Sequence, residues 1–342
     1  MQTPTRTPMA TLGKFGLAQH ISNALTHKDT LFLQGFGEEG IATSYKESVT
    51  VSAQSIFLEG VHFDLTYTPL QHLGYKAVTC ALGKVMAMNA TSHHLLISVG
   101  LSKRFFVEDV ELLFQGVEAG CTEYEVKVGG LNFESSLTGI SISITAIGAV
   151  QKDTLVTRSG GKSTDLICVT GNLGAAYMGM QLLEREKALF TSTQNATPQL
   201  QGKEYILQHF LRPNLCKSLF TLLHQEQIRP TSLCFLTHGL SHGVHALATA
   251  SGCGAKVYIE KIPIASKTFE MAQELNMDAL TCALHGGDDY EFLFTIPITQ
   301  HETALRELPI DIIGHLCNPA QGILLITPEG NALPLPTPHL TE

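Results

Sequence analysis

Leu58–Ala90, LEGVHFDLTYTPLQHLGYKAVTCALGKVMAMNA, is the stretch from which the fold is read. The β-rich run Ser55-Ile56-Phe57-Leu58 leads into a turn at Glu59-Gly60, and His62 follows. Thr68-Pro69 has the form of a helix start, with Thr as N-cap and Pro at the first helical position. Ala77, Ala81, Val85 and Met88 then recur at spacings of three and four, which predicts a helix running to about Met88. Lys84 lies near that apolar stripe, one turn beyond Cys80. A lysine there needs a counter-charge or a route to water.

Upstream, residues 31–58 hold short strand-like runs around the glycine-framed acidic loop Gly35-Phe36-Gly37-Glu38-Glu39-Gly40. Phe15 to Leu25 has helical spacing, and residues 1–11 read as a frayed polar end. Downstream, 95–101 reads as a strand, 107–120 as a helix and 124–128 as a strand, which Gly129-Gly130 interrupts. GISISITAIGAV at 139–150 alternates with period two, the mark of a half-buried strand. Gln151 to Lys162 is polar, so the domain junction is placed there, dividing the chain into 1–150 and 151–342. In the second part, 165–170 is a strand running into Gly171-Asn172-Leu173-Gly174 and a helix through Glu186. A polar loop at 191–202, helices at 203–211 and 214–225, a strand at 232–236 and a helix at 239–250 follow. A strand at 256–262 and a helix at 266–275 precede Gly286-Gly287-Asp288-Asp289, which enters a strand at 290–296. Strands near 310–316 and 323–326 close the pattern. Strand and helix alternate throughout, so the class is α/β (α+β) with two domains.

Composition narrows the functions. A net charge of -9 argues against broad nucleic-acid binding, which needs a basic footprint. The eight cysteines stand singly with no C-x-x-C, as in a reduced, cytoplasmic protein. No apolar run approaches the ~18 residues of a membrane span, and the N-terminus has no apolar signal core.

Taken together, LEGVHFDLTYTPLQHLGYKAV, Val128-Gly129-Gly130, GISISITAIG, Arg158-Ser159-Gly160-Gly161, VTGNLGAAYMG, Arg212-Pro213 and GGDDYEFLFT resemble the thiamine-monophosphate kinase family, in that family's order. The match runs from about Leu12 to about Ile326. The resemblance implies an aminoimidazole ribonucleotide synthetase-like fold, and a homodimer whose N-terminal strands form a β-barrel-like interface. It implies transfer of the γ-phosphoryl of ATP to thiamine monophosphate, with several Mg²⁺ ions held by aspartates. It also implies that His62 contacts the thiamine phosphate, that Asp288 stands where the family has a Glu facing the substrate with Asp289 retained after it, and that Gly130 and Arg158 lie on the ATP side.

The aspartates are where this chain departs. The family's Gly-Asp-Asp is Gly37-Glu38-Glu39, and its Thr-Asp pair is Gln54-Ser55. The Asp of its Leu-Ser-Asp is Lys84. Its Gly-Gly-Asp-Thr is Gly129-Gly130-Leu131-Asn132, and the Asp of its Asp-Leu-Gly is Asn172. Its Asp-Ile-Ser-Asp-Gly-Leu is Phe235-Leu236-Thr237-His238-Gly239-Leu240. Ser55, Leu131 and Phe235 carry no carboxylate, and Lys84 puts a positive charge where a cation would bind. The end of the chain, Asn331 to Glu342, has no aromatic beyond His339 to stack on thiamine.

Each remaining candidate has a functional and a structural reading. Glu38 and Glu39 are read as the ligands of one metal or as a solvated acidic loop. Lys84 is read as an electrostatic stand-in for a metal or as half of a salt bridge. His62 is a substrate contact or a hydrogen-bonded structural histidine. Asp288 and Asp289 are site residues or caps of the loop they occupy. His238, His242 and His245, as H-x-x-x-H-x-x-H at a helix start, are spaced for a transition metal but lack the Glu of H-E-x-x-H. The pattern of substitution predicts a catalytically impaired homologue. The alternative is an active kinase working with a reduced metal set of Glu38, Glu39, Asp288 and Asp289.

Overall fold

Two open sheets carry the chain. The computed structural model describes residues 32–34, 40–45, 48–192 and 198–336. Glu38, Glu39, His339 and the helical spacing at 15–25 therefore lie outside the described residues.

The first sheet has six strands: β1 (Phe32–Gln34), β2 (Ile41–Tyr45), β3 (Ser48–Leu58), β4 (Thr91–Leu101), β5 (Lys127–Ser135) and β6 (Ile140–Gln151), in the order β1-β2-β3-β6-β4-β5. Alternation along β3 and β6 sends Val49, Val51, Ala53, Ile142, Ile144 and Ala146 to one buried face. The helices α1 (Leu70–Met86) and α2 (Val107–Glu123) cover that face and its edge. They cross at Gly74 and Gly116. A Cβ on Gly116 would stand 1.8 Å from the Gln71 carbonyl oxygen, so no larger residue permits this approach.

The second sheet has seven strands. They are β7 (Leu166–Thr170), β8 (Ser232–Leu236), β9 (Gly254–Tyr258), β10 (Glu291–Ile296), β11 (Ile310–Cys317), β12 (Ile323–Ile326) and β13 (Ala332–Pro334), in the order β13-β12-β9-β11-β7-β10-β8. Its helices are α3 (Ala175–Ser192), α4 (Glu204–Leu211), α5 (Lys217–Gln225), α6 (Leu240–Ala250), α7 (Ser266–Glu274), α8 (Ala279–His285) and α9 (His301–Glu307). The sheet is apolar on both faces, as β8 and β10 show by being buried at every position. One face packs Ile167, Val169, Leu236 and Leu293 with α6. The other puts Cys168, Leu233, Phe235, Phe292 and Phe294 into the same core as the first sheet and α1.

That shared core explains α1. Leu73 to Gly83 is buried without a break, because the helix lies between the first sheet, α2 and the second sheet. A helix covered on every side buries whatever its sequence places there, including Lys76.

Several sequence expectations need correction. Thr68 does not cap α1: Pro69 occupies the N-cap, and the buried Thr68 Oγ1 has no partner. Gly129-Gly130 does not end a strand. β5 runs through both, paired in parallel with β4 from His94↔Lys127 to Leu101↔Ser135. The ladder supplies the hydrogen bonds that the glycines cannot strengthen by packing. The strand expected at 256–262 gives way to a 3₁₀ turn at Ile259–Lys261. The short helices α8 and α9 were not read from sequence.

Candidate functional site

The site is built on one face of α1. Residues 76, 80 and 84 are four apart and so lie above one another along the helix. Each meets a different structure.

At the first level, the Lys76 Nζ donates to Asp288 Oδ2 at 2.8 Å. The ammonium also stands over the Phe210 ring, 4.1 Å from its centroid, and 5.7 Å from that of Tyr290. Lys76 is buried, its side chain 5% exposed against 38% for Asp288. Asp288 is held for this contact by an unusual backbone. It has φ of 59° and Tyr290 has φ of 55°, after Gly287 at 80°. Left-handed conformations at non-glycine residues are costly and persist where surroundings fix them. Here the Asp288 and Tyr290 amides donate to the Thr237 and Leu236 carbonyls.

The same twist sends Asp289 the other way. Its Oδ1 accepts from the Gly174 amide at 2.9 Å, which caps the start of α3. Its Oδ2 is buried without a partner. Burial pushes this carboxyl well up; the Gly174 amide opposes the rise, and Glu291 and Asp288 add to it. Glu291 accepts from the Thr170 hydroxyl, and burial pushes it up to about 7. Asp289 is therefore a helix cap, and Asp288 is an ion-pair partner.

At the second level, Cys80 Sγ lies 3.5 Å from Ser55 Oγ. Burial pushes the nearby Tyr290 phenol up, and Cys80 adds to the rise. At the third level, Lys84 Nζ donates to the Gln54 carbonyl at 2.9 Å. Beside it, the Phe235 ring lies on Gly83. A Cβ on Gly83 would stand 2.2 Å from Phe235 Cζ. Phe235 continues into an aromatic stack, its centroid 5.3 Å from Tyr290 and 5.4 Å from Phe292.

Three sequence-selected positions, Ser55, Lys84 and Phe235, thus converge around Cys80 and Gly83. They offer a hydroxyl, an ammonium and a phenyl ring. Mg²⁺ needs several oxygen ligands in octahedral array, so these residues do not fit it. Among the described residues no group of three or more His, Cys, Asp or Glu could hold a metal ion.

The other sequence-selected residues lie elsewhere. Leu131 shares a row with Ser55, through Ser55↔Ile144, Ile144↔Ile97 and Ile97↔Leu131. Gly130 shares the neighbouring row with Gln54, through Thr145 and Leu96. Two strands separate each pair, about 14 Å at ordinary strand spacing. Arg158 sits beside the opening of β8, where the Leu233 amide donates to Thr157 O, while Phe235 and His238 lie toward its close. Asn172 is half-buried between β7 and α3. His62 accepts the Leu58 amide on Nδ1 at 3.1 Å, which fixes the turn before α1. His238 meets Thr237 Oγ1 at 2.8 Å and the His242 ring at 5.3 Å, while His245 meets the Leu335 carbonyl. These three histidines do not form a metal set.

Sequence reading passed over Lys76. Its signal was there: it stands two turns before Lys84 on the same face. Also unforeseen was a second tie between the halves, where Lys187 Nζ meets Asp64 at 2.7 Å and Tyr67 donates to Glu184 at 2.6 Å.

The chain is similar in sequence and fold to known proteins. Residues 39–150 match the family model for the N-terminal domain of AIR synthase related proteins. The chain is 28% identical to a thiamine-monophosphate kinase of Aquifex aeolicus over 286 residues, covering 84% of this chain and 86% of that one. It is 24% identical to the thiamine-monophosphate kinase of Bacillus subtilis, covering 89% and 91%. Among solved structures, AaThiL complexed with AMPPCP and TMP superposes with a TM-score of 0.80 at 24% identity, covering 97% of each chain. The thiamine-monophosphate kinase of Stenotrophomonas maltophilia gives 0.71 at 25% identity, covering 94% and 98%.

Proposed function

We infer the function from one premise, that the chain belongs to the thiamine-monophosphate kinase family. Within it, this protein is a pseudoenzyme. It keeps the family's two-sheet frame and the seam between the sheets, and it has lost metal-dependent phosphoryl transfer. The observation that carries this reading is the convergence of Ser55, Lys84 and Phe235 around Gly83. Phosphoryl transfer is mostly positioning and charge neutralisation. A phenyl ring packed on the helix and an ammonium in place of a carboxylate remove the means of gathering Mg²⁺ there.

The alternative, an active kinase with a reduced metal set, would draw on Glu38, Glu39, Asp288 and Asp289. Of the two described, Asp288 is paired with Lys76 and one oxygen of Asp289 is held at the start of α3. That favours the pseudoenzyme.

The family's ligands, thiamine monophosphate and ATP, remain the ligand class for the seam. A homodimer fits the first sheet, whose outer face exposes Ile56, Leu58 and Leu96. All eight cysteines are free thiols, which accords with a cytoplasmic location. Among the described residues no helix is long and apolar enough to cross a membrane.

The test is an end-point assay. Purified full-length protein is incubated with MgATP and thiamine monophosphate, and thiamine diphosphate is measured. The expected result is no product above the protein-free control. Product that disappears in a Glu39→Ala variant would overturn the reading and establish the reduced metal set.

A further inference from the structure

We propose that Lys84 is the centre of a magnesium-independent anion site at the rim of the seam, taking the phosphate or diphosphate group of a small ligand directly on its ammonium. The proposal rests on the family reading for the choice of probe, and on the structure for the site.

The α1 face carries two ammonium groups with opposite fates. Lys76 is buried and neutralised by Asp288. Lys84 is half-buried and, among the described residues, makes one hydrogen bond, to the Gln54 carbonyl. An ammonium has three donors, so two remain for a ligand. Among the described residues Lys84 forms no ion pair, and Gln54, Ser55 and Phe235, grouped around Cys80 and Gly83, carry no carboxylate.

The local medium strengthens that charge. The buried Phe235 ring on Gly83 and the aromatic stack behind it form a low-dielectric wall. Attraction between an ammonium and an anion grows as water is excluded. A phosphate oxygen accepts charge-assisted hydrogen bonds from such a group at short range.

A phosphorylated ligand at this position cannot rely on carboxylate-held Mg²⁺, because Ser55, Lys84 and Phe235 supply no ligand set for it. Repulsion between Lys84 and a divalent cation works in the same direction. The ligand's charge has to be met by the ammonium itself. Binding is then predicted to persist in chelator.

The experiment is calorimetric titration of the full-length protein with inorganic pyrophosphate and, separately, with thiamine monophosphate, each in excess EDTA. Saturable binding is expected, changed less than twofold when EDTA is replaced by Mg²⁺. Lys84→Met should weaken it at least tenfold, and Lys84→Arg should restore most of the loss. The melting temperature of each variant is measured beside it, so that unfolding is not read as lost affinity. Binding that requires Mg²⁺, binding indifferent to Lys84→Met in a folded protein, or no binding of either probe in EDTA would each overturn the proposal. The pseudoenzyme reading fails separately. A protein that makes thiamine diphosphate yet binds pyrophosphate in EDTA keeps this site and loses that reading. An inactive protein that binds only with Mg²⁺ does the reverse.

Discussion

Lys76 and Lys84 stand on one face of one helix, yet they behave as different groups. Lys76 lies where the second sheet closes over α1, so burial demands a counter-charge, and Asp288 supplies it through a strained turn. Lys84 lies two turns on, half-buried, and a backbone carbonyl suffices. Position along a helix thus decides whether a lysine is a structural element or an available charge. Residue type does not.

The largest effect should come from breaking the buried end. Asp288→Asn leaves the Lys76 ammonium buried without its partner, which should cost about 4 kcal/mol in urea unfolding. Lys76→Met should cost less, because the carboxylate it strands is more than a third exposed. If the two losses are equal, the asymmetry of burial is wrong.

The second effect concerns the acids behind that end. Glu291 has a folded pKa raised to about 7 from 4.5. A raised folded value means that the folded state holds the proton more tightly than the unfolded chain. The resulting stability is fully present below pH 4.5 and is lost as pH rises through 7. At 1.36 kcal/mol per unit the change is on the order of 3 kcal/mol. Unfolding midpoints at pH 5 and pH 8 measure it, and Glu291→Gln should flatten the difference. Asp64 works in the opposite sense. Its hydrogen bond to Lys187 lowers it to about 2, so its contribution disappears only as pH falls through that value.

The smallest effect sharpens the open end. Gly83→Ala drives a methyl into the Phe235 ring and should cost about 2 kcal/mol by overpacking. Phe235→Leu in the same chain should recover part of that loss. A neutral Gly83→Ala would mean that the ring does not fill the space on α1.

Much of this was legible in the sequence, for identifiable reasons. The period-two alternation of GISISITAIGAV and the spacing of Ala77, Ala81 and Val85 are local signals, and β6 and α1 form where they predict. The motif order carried the resemblance to thiamine-monophosphate kinases. The failures share a cause, which is that burial is decided by what arrives from elsewhere in the chain. Thr68 has the chemistry of a cap, but the turn from Asp64 places Pro69 there instead. Gly129-Gly130 has the chemistry of a break, but a parallel neighbour holds it extended. Lys76 drew no reading, because nothing local shows that the second sheet covers it. Asp289 looked like a site acid, and the α3 amides that claim it are about 115 residues away in sequence.

The contact between Phe235 and Gly83 limits what this position accepts. The ring adds apolar contact and fills space, so the surrounding core is packed around it. Exchange for a carboxylate is therefore costly. Removing a buried aromatic leaves a void that costs about 3–5 kcal/mol before any metal arrives to offset it. A single aspartate at position 235 would face an aromatic stack, with no second carboxylate among the described residues converging there to share a cation. The contact therefore acts as a latch: a metal site here opens only by several changes made together.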